Sequence, residues 1–310
     1  MGTRALDLWF EPAADSVLQQ ADGDVLMAVE AGRPVLGGGM SYERAMRILI
    51  VLVLAVVAFV MLLPMIWMLA TSIKPETEIV EFPPTLFSTD FTFQHYADVW
   101  ERIPFARLYT NTVIFAGGVT LASLLFDSLT AYALARLDFP GRNVLFIAII
   151  ITLMLPFQVT LIPLFDLLTK LDWVNTFQGL IVPRATNAFG IFFLRQFFLT
   201  IPKDLEDAAR VDGASEFYIY RKIVLPLSVP ALLTLGLFHF MYNWNDLLWP
   251  LITTTDLRTL PAGLALFMGE HVVEYGLLMA GSTLALIPVV IFFLAVQRKF
   301  IQGIATTGLK

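Results

Sequence analysis

The 310-residue chain has no cysteine, little charge and only three histidines. The missing cysteines exclude disulfides, thiolate metal sites, iron–sulfur ligation and cysteine nucleophiles together. His95, His239 and His271 are too far apart in sequence to form a helical metal or haem pair. No metal site is expected. No Gly-Lys pair occurs anywhere, so the phosphate-cradling loop G-x-x-x-x-G-K-[ST] is absent. Charged residues make up 15% of the chain and apolar ones 57%. A soluble domain carries about 25% charge, so too few polar groups remain here to cover a water-facing surface. These absences point to a membrane protein.

What is present is a set of long apolar runs. About 20 apolar residues suffice to cross a bilayer as a helix, and six such spans are expected. They are Ile48–Ala70, Asn111–Leu134, Val144–Leu168, Gly179–Leu199, Leu227–Trp249 and Leu277–Val296. The runs are continuous rather than alternating, which favours helices over barrel strands. Pro156 and Pro163 are expected to kink the third span. Lys and Arg set the orientation. Arg44, Arg47, Arg136, Arg142, Arg195, Lys203, Arg210, Arg221, Lys222, Arg298, Lys299 and Lys310 gather on one side. That side is read as the cytoplasm and holds both termini. The loops 74–107, around Lys170, and 256–276 then lie outside.

Residues 1–39 differ from the rest. Six acids stand against Arg4 and Arg33, and the stretch ends in Gly37-Gly38-Gly39. It lacks the basic and apolar regions of a signal peptide, and its composition favours disorder. Two readings stay open: an upstream extension before a start at Met40, or a small cytoplasmic interaction segment. Residues 40–310 form the transmembrane domain.

Between the fourth and fifth spans lies "IPKDLEDAARVDGASEFYIYRKIVLPLSVP", with five acidic and four basic side chains. Pro202 suits a first helical turn, and Asp204, Glu206 and Asp207 suit the positive helix end. Leu205, Ala208, Ala209 and Val211 make a small apolar face. Asp212-Gly213 reads as a stop that needs left-handed backbone at the glycine. Ser215 caps a second short helix through Phe217 and Tyr220. From physics alone this is either an interfacial connecting loop or a docking surface for another protein.

The spacing Asp207-Ala208-Ala209, x3, Gly213, x9, Ile223, x, Leu225-Pro226 resembles the EAA motif of binding-protein-dependent ABC importer permeases, E-A-A-x3-G-x9-I-x-L-P. Asp207 stands where that family has Glu, which keeps the charge and shortens its reach. "AYALARLDFPGR", "LIPLFDLL", "NTFQGLIVP", "YNWNDLLWPL" and "VQRKFIQGIATTGLK" are similar to the carbohydrate-uptake subgroup of maltose and glycerol-phosphate type. The resemblance runs from about Arg44 to Lys310. It implies an all-α type I importer permease fold in a bacterial cytoplasmic membrane. The cytoplasmic coupling segment would be 202–222, with Glu206, Asp207, Ala208, Ala209, Asp212, Gly213, Ile223, Leu225 and Pro226 serving ATPase coupling. The implied partners are a second permease, two ATP-binding-cassette subunits and an external solute-binding protein. ATP and magnesium would sit on the ATPase and no cofactor on this chain, which would not be an enzyme.

Asn243, Trp244, Asn245 and Asp246 are candidates for a gate or pathway wall, or else an interfacial belt bonded between helices. In the outer loop, Glu270, His271 and Glu274 resemble the region that touches the binding protein in relatives. Asp127 lies about 13 Å from Arg136 along a helix, deep in hydrocarbon. It should face the bundle, because a lipid-facing carboxylate costs about 2.5–3.5 kcal/mol. Ser123 and Thr130 share its helix face. A hydrogen-bonded structural acid is the favoured reading. A proton-coupling site at Asp127 belongs to the rival class, an ion-coupled secondary carrier, and His239 is read as a hydrogen-bonded core residue rather than a proton relay.

Overall fold

The computed structural model describes residues 42–86, 88, 90–270 and 274–307. The expected leader at 1–39 and His271 lie outside the described residues. The chain divides into two units, Met1–Leu63 and Pro64–Lys310. In the first, residues 42–63 begin helix α1 (Tyr42–Ser72), whose Ile50, Leu54 and Met61 are exposed.

The second unit starts with the end of α1. It continues through α2 (Glu76–Ile79), α3 (Gln94–Arg102), α4 (Phe105–Arg136), α5 (Arg142–Thr152), α6 (Phe157–Lys170) and α7 (Phe177–Ile181). A 3-10 turn (Val182–Arg184) leads to α8 (Ala188–Thr200), α9 (Asp204–Val211) and α10 (Glu216–Ile219). A π turn (Tyr220–Val224) joins α11 (Leu225–Leu227), followed by α12 (Val229–Trp244), α13 (Leu248–Thr253), α14 (Leu260–Glu270) and α15 (Tyr275–Thr307). Among the described residues every regular element is helical.

The first, second and sixth expected spans lie inside α1, α4 and α15. The other three are interrupted, and each break has a local cause. α5 and α6 meet at 98°. Pro156 caps α6, has no N–H to give, and keeps Leu155 out of helical geometry. Pro163 stays inside α6. The fourth span is α7, the turn and α8, not one rod. Asn187 ends the gap by accepting the Phe189 N–H at 2.8 Å. α8 has 13 residues, about 20 Å at ~1.5 Å per residue, against a hydrocarbon core of about 30 Å. The fifth span bends by 78° at Ser228 and stops at Trp244, before the expected Trp249.

α4 is the axis of this unit. Its 32 residues would rise about 48 Å. Buried positions recur at helical spacing along it: Leu108, Thr112, Phe115, Val119, Ser123, Asp127, Ala131 and Leu134. It packs against α8 and α12, and α12 packs against α15. Small side chains at Ala116, Ala131 and Ala135 allow close approach, which matters in lipid, where apolar burial alone gives helices little reason to associate.

Candidate functional site

The charged stretch folds as a short helix, a turn and a second short helix. α9 starts at Asp204, two residues later than Pro202 suggests, with Ile201 extended before the proline and Lys203 at the cap. Gly213 has φ +82°, a conformation that penalises any Cβ. Ser215 accepts the Tyr218 N–H at 3.3 Å and caps α10. Leu205, Ala208 and Val211 of the expected apolar face are exposed, Val211 by 88%, and Phe217 and Tyr218 are exposed beside them. Ala209 instead packs partly into the core with Ile223 and Leu225, against Phe198, Ile219 and Val224. Pro226 is exposed at the start of α11.

The acids of the segment have separate tasks. Asp207, the motif acid, is exposed and accepts Arg210 at 2.7 Å. Glu206 is 1% exposed and pairs with Arg136 at the end of α4, Nε to Oε1 2.7 Å, while its other oxygen is 3.3 Å from Arg210. Arg136 also donates to the carbonyls of Phe198 and Ile201, both at 2.6 Å. Arg210 reaches Glu216 at 2.8 Å, and Glu216 accepts the Tyr132 hydroxyl at 2.7 Å. The Arg210 bond holds the Glu216 carboxyl below the usual glutamate range, against the opposing effect of burial. Tyr220 and Ser128 share a hydroxyl–hydroxyl bond of 2.8 Å. Asp212 is exposed next to Gly213.

Deeper along α4, Asp127 is fully buried. Its Oδ1 accepts the Thr186 hydroxyl at 2.7 Å and the Asn187 N–H at 2.9 Å. Its Oδ2 lies 3.4 Å from His239 Nε2. Ser123, on the same helix face, donates instead to the Arg184 carbonyl at 3.3 Å. Gly190 allows the approach, since a Cβ there would sit 2.1 Å from Asp127 Oδ2. The acid thus satisfies the broken backbone at the entry to α8, as irregular backbone within a bilayer requires.

The polar run after α12 is divided. Asn243 and Trp244 are buried, and bond the carbonyls of His239 (2.8 Å) and Ala285 (3.2 Å). Asn245 is exposed and bonds the Met241 carbonyl at 2.8 Å. With Trp244, Met65, Met68 and Met241 it lines a cavity of about 540 Å³. Asp246 forms an ion pair with Arg184, whose guanidinium lies 4.8 Å over the Phe157 ring and 5.4 Å over Tyr242. Near the start of α15, Glu274 pairs with Arg102 at 2.8 Å, and Glu76 accepts the N–H groups of Tyr275 and Gly276 at 2.9 and 3.0 Å. The Glu270 side chain lies outside the described residues.

Sequence reasoning missed Arg136, Tyr132, Arg184 and Asn175 as organisers. Asn175 has φ +59°, and its Oδ1 accepts the N–H groups of Thr255, Asp256 and Leu257 at 2.9–3.2 Å. Its place before Thr176 in "NTFQGLIVP" was the available signal, because Asn tolerates left-handed backbone.

Residues 127–306 match the family described as binding-protein-dependent transport system inner membrane component. The chain is 37% identical over 267 residues to the arabinooligosaccharides transport system permease protein AraQ of Halalkalibacterium halodurans, covering 83% of this chain and 94% of that one. It is 35% identical over 255 residues to the sn-glycerol-3-phosphate transport system permease protein UgpE of Salmonella typhi, covering 79% and 91%. A solved bacterial ABC transporter involved in the import of the acidic polysaccharide alginate has a chain of similar fold, with TM-score 0.73 and 26% identity. That likeness covers 84% of this chain and 98% of the other. The chain belongs to the binding-protein-dependent transport inner membrane components, the permease subunits of ABC importers, and to their carbohydrate-uptake subgroup.

Proposed function

We propose that this permease subunit passes a sugar, polyol or sugar derivative into the cytoplasm of a bacterium, using ATP hydrolysed elsewhere. The observation that carries the reading is the helix–turn–helix at 204–219, with its left-handed Gly213 and exposed Leu205, Val211 and Phe217. It presents an apolar ridge flanked by charge, a surface suited to a groove on an ATPase. The relatives' own substrates, arabinooligosaccharides, glycerol 3-phosphate and alginate, are carbohydrates or polyol derivatives.

In this reading α1, α4, α5 with α6, α7 with α8, α12 and α15 are the six crossings. Both termini and α9 face the cytoplasm. Contacts across the sequence support the sidedness. Arg136 meets Glu206, both assigned inside, while Arg102 meets Glu274 and Asn175 meets Asp256, all assigned outside. The partners are a second permease, two ATPases holding ATP and magnesium, and an external binding protein, which Glu270, His271 and Glu274 would face. The Trp244–Asn245 cavity is the candidate stretch of pathway. The secondary-carrier alternative rests on Asp127, and one oxygen of that carboxylate is held by Thr186 and Asn187 at the entry to α8.

The test is reconstitution of the four kinds of subunit in proteoliposomes. Uptake of the solute retained by the co-encoded binding protein should require internal ATP and the binding protein together. Uptake driven by an ion gradient without ATP would reject the reading.

A further inference from the structure

The coupling segment is joined by the chain itself to α8 on one side and to α12 on the other. α4 has no such connection, since its own chain continues into α5. The segment itself reaches α4 directly through side chains, beside the packing of α8 and α12 on α4. Three residues of α4 supply the polar part of that contact, Ser128 to Tyr220, Tyr132 to Glu216 and Arg136 to Glu206, beside apolar packing of Ala131 and Ala135 in the same cluster as Ile219 and Tyr220. The three polar residues stand four residues apart, so they form one stripe on a single helix face.

Arg136 ends the stripe. Its side chain is 2% exposed and Glu206 1% exposed, so water does not screen the pair. The same guanidinium takes the carbonyls of Phe198 and Ile201 at the C-terminal end of α8. Carbonyls at this end of a helix carry the negative end of its dipole, which a cation stabilises. One planar cation thus fixes α4, α8 and α9 in a single geometry, which a lysine, a single point charge, cannot reproduce. Immediately before Ser128, Asp127 grips Asn187 and Thr186 at the broken entry to α8. The helix held by the coupling segment at one end holds the intramembrane break nine residues further on.

We propose that Arg136, with Tyr132 beside it, is the positioning residue that straps the coupling segment to α4 and makes α4 the element that carries ATPase motion to the broken fourth span. The inference rests on the coupling reading of residues 202–222. Its test uses the full reconstituted transporter and three readouts: ATPase co-purification, ATP hydrolysis, and solute taken up per ATP. Arg136→Gln is expected to keep the ATPase bound and hydrolysing while uptake per ATP falls about 5- to 150-fold, the usual range of a coupling free energy. Tyr132→Phe, which removes one hydroxyl, should give a smaller fall in the same ratio, and Arg136→Lys should lie between Arg136→Gln and the unaltered protein.

An unchanged ratio in Arg136→Gln and Tyr132→Phe overturns the strap and leaves the coupling reading standing. Reduced insertion or assembly with a normal ratio in the assembled fraction also overturns it, because that is the mark of a purely structural pair. Failure of the coupling reading itself appears elsewhere, as retained ATPase binding and uptake when Val211 and Phe217 are both changed to Glu.

Discussion

Two buried carboxylates meet α4, and they are satisfied in opposite ways. Glu206 is paired with a full cation, Arg136, at 2.7 Å, and Arg210 lies near its other oxygen. Among the described residues Asp127 meets no guanidinium or ammonium. A hydroxyl and a backbone N–H hold one oxygen, and the imidazole of His239 stands 3.4 Å from the other. The first arrangement belongs to a helix end, where the chain supplies arginines and water is near. The second belongs to the interior of a crossing, where a helix N-terminus offers partial positive charge without a second ion to desolvate. The comparison teaches that an acid in this chain is placed by the backbone groups it must satisfy as much as by its countercharge.

The sharpest break in that comparison is Glu206→Ala. It leaves the buried Arg136 without its countercharge, and losing one partner of a buried pair costs about 3–5 kcal/mol. Thermal unfolding of the detergent-purified complex should shift down markedly, more than for Asp207→Ala, whose side chain is exposed. Gly190→Ala comes next. Its Cβ would strike Asp127 Oδ2, and overpacking of this kind costs about 1–3 kcal/mol. Lower stability with reduced uptake is expected, and a normal melting profile would show that Asp127 does not sit against Gly190. Asp127→Asn should do less, because its amide oxygen can still accept from Thr186 and Asn187. Uptake should remain close to normal and ATP-dependent, with an unchanged pH profile. A changed profile would give Asp127 a proton-coupling role in place of the structural one.

The smallest effect concerns pH at the coupling segment. Arg210 holds the Glu216 carboxyl below its ordinary value, so its contribution is present above the unfolded pKa of about 4.3 and is lost only as pH falls through the lower folded value. ATPase co-purification should therefore be flat from about pH 7 to pH 5. A loss within that window would detach Glu216 from the Arg210 link.

The legible parts of the fold were those with local signals. Gly213 announced its left-handed turn, Ser215 its cap, and the apolar runs of α1, α4 and α15 their length. The break before α8 was not read, although Asn187 is a good capping residue, because the apolar count runs straight through it. Asp127's partners were also missed. Ser123 and Thr130 share its face, but the residues that bond it, Thr186 and Asn187, stand about sixty positions away. A still longer separation in sequence hides Arg136 from Glu206. Spacing within one helix shows which face a residue occupies. It does not show which other helix will cross that face, and both buried acids depend on that crossing.

The central claim is that residues 202–222 receive the motion of an ATPase, and Gly213→Leu tests it most directly. Leucine at φ +82° strains the turn between α9 and α10, and no atom of the described residues lies within 4 Å of a Cβ built there, so the strain is in the backbone rather than a clash. The account predicts normal membrane insertion, weakened ATPase co-purification and lost uptake. Full uptake with the ATPase still bound would contradict it.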